Sequence, residues 1–198
     1  MTALTIAADA PDAAARVAEV LRAGELVVLP TETVYGLAAL PSVPGATDGL
    51  FERKGRGADV PVAVLCADAE QALALAEAPG PQARALAAAH WPGPLTMVLP
   101  RRADLGWALG EPSATIGLRC PDHGLVREVA RLVGPIATTS ANRHGQPTPP
   151  TASEAAAQLL GPVGLVVDGG RLGGTPSTVV ECTGHEPRIL RQGALEIL

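Results

Sequence analysis

The strongest constraint on this chain is a series of short apolar runs, most of them followed within three residues by proline, glycine or a cluster of hydroxyls. They fall at Leu26–Leu29, Val62–Leu65, Leu95–Leu99, Thr115–Arg119, Pro135–Thr138, Leu165–Val167, Thr178–Glu181 and Arg188–Leu190. Runs this short suit buried strands better than helices. Between them lie stretches read as helices, at 10–23, 47–53, Asp68–Glu77, Pro81–Ala89 and Leu125–Val133, the third and fourth alanine-rich. The first is read as capped by Asp9 or Ala10, with Pro11 at its first helical position and Gly24 at its end. Thr151–Glu154 matches a capping box that opens a helix to Leu160. Loose alternation of helices and strands predicts an α+β (mixed α/β) fold, a twisted mixed sheet flanked by helices. Neither an internal repeat nor a long linker divides the chain, so residues 1–198 are read as one domain.

Composition narrows the function. Aromatics are 2% of the chain, too few for the base-stacking platforms of single-strand binders, and a net charge of −5 gives no global attraction to nucleic acid. No apolar run approaches the roughly 18 residues of a membrane span, and the N-terminus has no basic leader, so a cytoplasmic location is expected. Cys66, Cys120 and Cys182 are odd in number and lack CxxC spacing. His90, His123, His144 and His185 stand singly, so neither a disulfide framework nor a protein-held metal is expected.

Polar motifs follow the apolar runs directly, where open α/β sheets place their ligands. Thr31–Gly36 sets hydroxyls and a carboxylate at one strand end, and Gly36 permits close backbone approach. Lys54 is the single lysine among 15 basic residues, in a chain that otherwise uses arginine. With Arg56 it is read as pointing one way from extended backbone, with flanking glycines leaving room for phosphate. Residues 138–142 carry three hydroxyls and an amide after a strand, a donor set for phosphate or a small zwitterion. Arg119, leaving a buried strand, needs an anionic partner, either a substrate carboxylate or an internal acid. No P-loop, dinucleotide fingerprint or hydrolase elbow is present.

Taken together, PTETVYGL (30–37), KGR (54–56), WPGPLT (91–96), GLRCPDH (117–123), TSAN (139–142), PST (176–178) and ILRQG (189–193) resemble the YrdC-type family. These are the L-threonylcarbamoyladenylate synthases of tRNA modification. The resemblance implies a YrdC/RibB-like sheet with a concave, positively lined cavity. It also implies one reaction, in which L-threonine, bicarbonate or CO2, and ATP give threonylcarbamoyl-AMP and pyrophosphate. By matching motif positions, Thr33, Arg119, Thr139 and Ser177 would hold threonine. Lys54, Arg56, Thr115, Ser140, Asn142, Thr148 and Arg191 would line ATP, with Lys54 and Arg56 catalytic. Mg2+ would be carried mainly by the ATP phosphates. Separate tRNA threonylcarbamoyl-transfer proteins would take the product, and a weak contact with RNA is a further expectation.

Three positions depart from the family pattern. Val60 stands where relatives commonly have Asn, His or Lys, Gly57 where they have Pro, and His144 where they have Ser. The alternative reading is a noncatalytic protein of the same fold that binds structured RNA.

Overall fold

The computed structural model describes residues 3–184 and 186–197, so His185 lies outside the described residues. In chain order the elements are β1 (Leu4–Ala7), α1 (Ala13–Arg22), β2 (Val27–Leu29), β3 (Gly36–Ala39), α2 (Asp48–Lys54), β4 (Ala63–Leu65), α3 (Ala69–Leu73) and α4 (Pro81–His90). They continue as β5 (Leu95–Pro100), β6 (Thr115–Arg119), α5 (Gly124–Val133), β7 (Ile136–Ser140), α6 (Ala152–Gln158), β8 (Leu165–Asp168), β9 (Thr178–Glu181) and β10 (Arg188–Arg191). The strands form one ten-stranded sheet in the order β1-β8-β2-β3-β7-β4-β6-β5-β9-β10. Pairing is parallel for β1/β8, β2/β8, β4/β6 and β5/β9, and antiparallel elsewhere, so the mixed sheet expected from the sequence is observed.

Local corrections have local causes. Residues before α1 first close turns, Ala10 N–H to Ala7 O at 3.2 Å and Ala13 N–H to Ala10 O at 3.0 Å. The helix therefore begins past Pro11, with Asp12 rather than Asp9 or Ala10 at its N-cap. The stretch 68–77 yields only the short α3, because Ala76 bridges to Arg101 and Glu77 N–H donates to Pro100 O at 2.8 Å. Pairing with the sheet outcompetes helical propensity there. Two strands escaped the sequence reading. β3 is Gly-Leu-Ala-Ala, with no β-branched residue, and forms because β2 and β7 pair with it on both sides. β1 is mostly exposed and is held by β8 alone.

Alternation along the strands decides where a site can lie. One face turns Val28, Leu37, Val64, Met97, Leu118 and Val180 into a core closed by α2, α4 and α6. The other face turns Val27, Leu29, Ala38 and Ile136 under α1 and α5, which pack with Val17, Leu21, Val126 and Val129. These two helices cover only part of the face. Past their edge the same face continues as Thr138, Ser140, Ala63, Gly117 and Thr96, and these line an open cavity of about 430 Å³. The small and hydroxylated residues stand where no helix packs.

Candidate active site

Among the described residues the cavity lining holds three guanidiniums, Arg56, Arg119 and Arg191, and no carboxylate. In a chain of net charge −5 this is a local cationic bowl. Of the residues singled out in the sequence, Arg56, Thr115, Arg119, Thr139, Ser140, Thr148, Ser177 and Arg191 all line it. The topology brings them together from β6, β7, β10 and the connecting loops.

Arg119 ends β6 and is 5% exposed. Its Nε donates to Gly93 O at 3.2 Å and its Nη2 to Thr33 Oγ1 at 3.0 Å. The same Nη2 pairs with Glu32 Oε1 at 2.7 Å. The alternatives left open by the sequence thus resolve in part: an internal acid is present, and the guanidinium still lines the cavity. Thr33 itself lies behind the lining, in a turn tied by the Thr31 hydroxyl. That hydroxyl accepts from Thr33 N–H at 3.2 Å and Val34 N–H at 3.1 Å, and donates to Val34 O at 2.7 Å.

Lys54 and Arg56 do not share a direction, which corrects the extended-backbone reading. Lys54 is the last residue of α2, and Gly55 turns left-handed at φ +63° to cap it, a conformation that suits glycine. Lys54 is 2% exposed. Its ammonium donates to Ser140 O at 2.5 Å, Asn142 O at 2.6 Å and Asn142 Oδ1 at 3.0 Å. Burial, and then the Arg56 charge, lower its pKa to about 8. Arg56 instead lines the cavity, 5.6 Å above the Phe51 ring, with Nε and Nη2 buried and without partners among the described residues.

Asn142 backs the cavity as Lys54 does. Its Oδ1 takes the Lys54 proton donor, and its amide donates to Gln146 O at 2.5 Å and Arg143 O at 3.2 Å. Thr139 and Ser140 lie within β7 rather than in a loop after it, since the strand runs two residues past Thr138. Across the bowl, Arg191 donates from Nε and Nη2 to Ser177 O, at 3.2 and 2.8 Å. Its Nη2 also reaches Ser177 Oγ at 3.2 Å. Ser177 Oγ in turn sits 2.9 Å from Thr96 Oγ1. Thr148 Oγ1 donates to Gly174 O at 2.9 Å and fastens the glycine-rich segment to the rim.

Glu32 entered the sequence reading only as the carboxylate of the Thr31–Gly36 motif and Thr96 only within WPGPLT; their contacts with Arg119 and Ser177 bring them to the site. Gly36 serves a close approach, but to protein: a Cβ there would lie 2.9 Å from Thr138 Oγ1. Of the three departures, Val60 lines the cavity and is 41% exposed. Gly57 is exposed, and His144 meets Lys54 through its backbone, N–H to O at 3.0 Å.

The architecture is a half-covered mixed α/β sheet with an arginine-lined bowl on its open face. The chain belongs to the Sua5/YciO/YrdC family, described as telomere recombination, which matches residues 19–193. A Mycobacterium tuberculosis relative is 41% identical over 176 residues, 87% of this chain and 80% of its own. The Bacillus subtilis threonylcarbamoyl-AMP synthase is 40% identical over 184 residues, 91% of this chain and 53% of its own. The crystal structure of Pyrococcus abyssi Sua5 complexed with L-threonine superposes with a TM-score of 0.90 at 35% identity. It covers 98% of this chain, and the chain spans 58% of that protein's length.

Proposed function

We propose that this protein is an L-threonylcarbamoyladenylate synthase, an enzyme of the nucleotidyltransferase class. The observation that carries the reading is the bowl of Arg56, Arg119 and Arg191, with no acid on its lining, in a family whose relatives bear that activity. Three substrates bring a carboxylate, a bicarbonate and a triphosphate, and the bowl supplies fixed cations and hydroxyl donors to match.

Arg119, with Thr33 behind it, would take the threonine carboxylate, while Ser177 and Thr139 take its remaining polar groups. Arg56, whose guanidinium lines the cavity and has no carboxylate partner among the described residues, would meet the triphosphate. Thr115, Ser140, Thr148 and Arg191 would line the rest of the nucleotide. Lys54 and Asn142 would act from behind, holding Ser140 in place. The threonine amine adds to CO2, forming a C–N bond and releasing a proton. The carbamate oxygen then attacks the α-phosphorus, and the bond to the β-phosphate breaks to release pyrophosphate. Such a sequence needs positioning and charge neutralisation rather than a protein nucleophile.

Mg2+ would enter on the phosphates. Hydroxyls of Thr115, Ser140 and Ser177 on the lining are the oxygen donors that would face such an ion. Threonylcarbamoyl-AMP would pass to separate proteins that transfer it to a tRNA adenosine. The RNA-binding alternative finds little support, because three of the four aromatics, Tyr35, Phe51 and Trp91, are buried and only Trp107 is part-exposed. No helix among the described residues is long and apolar enough to cross a membrane.

The test is pyrophosphate release from MgATP with and without L-threonine and bicarbonate, in wild type and Arg119→Ala. Release that needs both cosubstrates, with a raised threonine KM in the variant, is the expected result. Release independent of threonine would overturn the reading.

A further inference from the structure

An amino acid is a zwitterion, and among the described residues the cavity lining offers its ammonium no anion. The carboxylate in place is Glu32, one contact behind the lining on the turn between β2 and β3. Its Oε1 accepts from Arg119 Nη2 at 2.7 Å and from the Asp122 backbone N–H at 3.0 Å. Its Oε2 is buried and has no partner among the described residues. The turn does not need Glu32 in order to form, because the Thr31 hydroxyl already satisfies it. Nor does His123 supply a charge to Glu32. Burial holds that imidazole below its ordinary range, although Glu32 and Asp122 pull the other way, so it stays neutral near pH 7.

What remains is an Arg–Glu pair, net neutral but strongly dipolar, at the edge of a cationic bowl. Such a dipole matches a zwitterion, its positive end the carboxylate and its negative end the ammonium. An unpaired arginine would welcome any small anion, the bicarbonate and phosphate of the same reaction included. We infer that Glu32 is a specificity-determining residue, whose charge beside Arg119 makes the cavity select an α-amino acid over the same acid without its amine. The inference rests on the function proposed above and names how its amino-acid subsite discriminates.

The experiment compares calorimetric binding of L-threonine with that of (R)-3-hydroxybutyrate, the same molecule lacking the amine. Glu32→Gln keeps the side chain's shape and its oxygen toward Arg119 while removing the charge. Wild type is expected to prefer threonine by at least about tenfold, and Glu32→Gln to lose most of that preference. Glu32→Asp, which retains the charge, should keep part of it. A purely structural role would weaken both acids alike, and an unchanged ratio in Glu32→Gln overturns the inference. Wild type alone carries a second check, since equal affinity for the two acids overturns it whatever the variant does. A wild type that binds no threonine would instead overturn the proposed function, and this inference with it.

Discussion

Lys54 donates twice to Asn142, to its backbone carbonyl at 2.6 Å and to its side-chain oxygen at 3.0 Å. With the further bond to Ser140 O, the end of α2 is fastened to the end of β7. The ammonium thus acts as a strut beneath the cavity, and the strand end it supports carries Ser140 on the lining.

Removing the strut should cost stability as well as turnover. Lys54→Ala leaves two carbonyls and an amide oxygen without their buried donor, a loss of about 3 kcal/mol. Thermal unfolding should show a Tm lower by roughly 6–12 °C. Lys54→Arg should not rescue, because a planar fork cannot reach three acceptors converging on one nitrogen. A Lys54→Ala protein as stable as wild type would contradict the strut.

Lys54 also gives stability a pH signature. Its folded pKa is about 8, against an ordinary 10.5. Between these values the unfolded chain holds more protons than the folded one, so this group's contribution rises with pH. Burial pushes the Cys120 thiol the other way, up to about 11 from 9.0, and its contribution falls with pH between those values. Comparison with Lys54→Met isolates the lysine. Urea unfolding at about pH 7.5 and about pH 9.5 should show wild type gaining about 2 kcal/mol relative to that variant.

Arg56 should behave in the opposite manner to Lys54. Its Nε and Nη2 are buried without partners among the described residues, so its removal breaks no side-chain hydrogen bond they make there. Arg56→Ala is expected to retain or slightly raise Tm, and to lower kcat/KM for ATP by about 100-fold. Side-by-side kinetics and melting curves on the two variants separate a cation that meets ligand from one that supports the site.

The Tyr35 hydroxyl holds the glycine-rich exit of β8. It donates to Gly170 O at 2.6 Å and accepts from Gly169 N–H at 3.0 Å. Tyr35→Phe should therefore lose about 1–2 kcal/mol and speed hydrogen exchange at the Gly169 amide. Exchange unchanged at that amide would show the segment to be held by other contacts.

The sequence alone made most of the elements and the residue types of the candidate site legible. Apolar runs bounded by proline and glycine placed eight strands close to their observed positions, because a buried strand must be short, apolar and stopped. The motifs also named the arginines and hydroxyls that now face one another, since charge and donor type belong to the residue itself. Tertiary structure decided direction and partnership. Gly36–Ala39 became a strand only because two neighbours pair with it, a non-local hydrogen-bond pattern that local propensity does not encode. Lys54 and Arg56 are two residues apart, yet one backs the site and the other lines it, because α2 ends between them in a left-handed glycine. Glu32 meets Arg119 across 87 positions of chain, a contact that exists only once β2, β7 and β6 share a sheet. Residue type is local information, whereas the sheet register that turns a side chain toward ligand or toward protein is set by the whole fold.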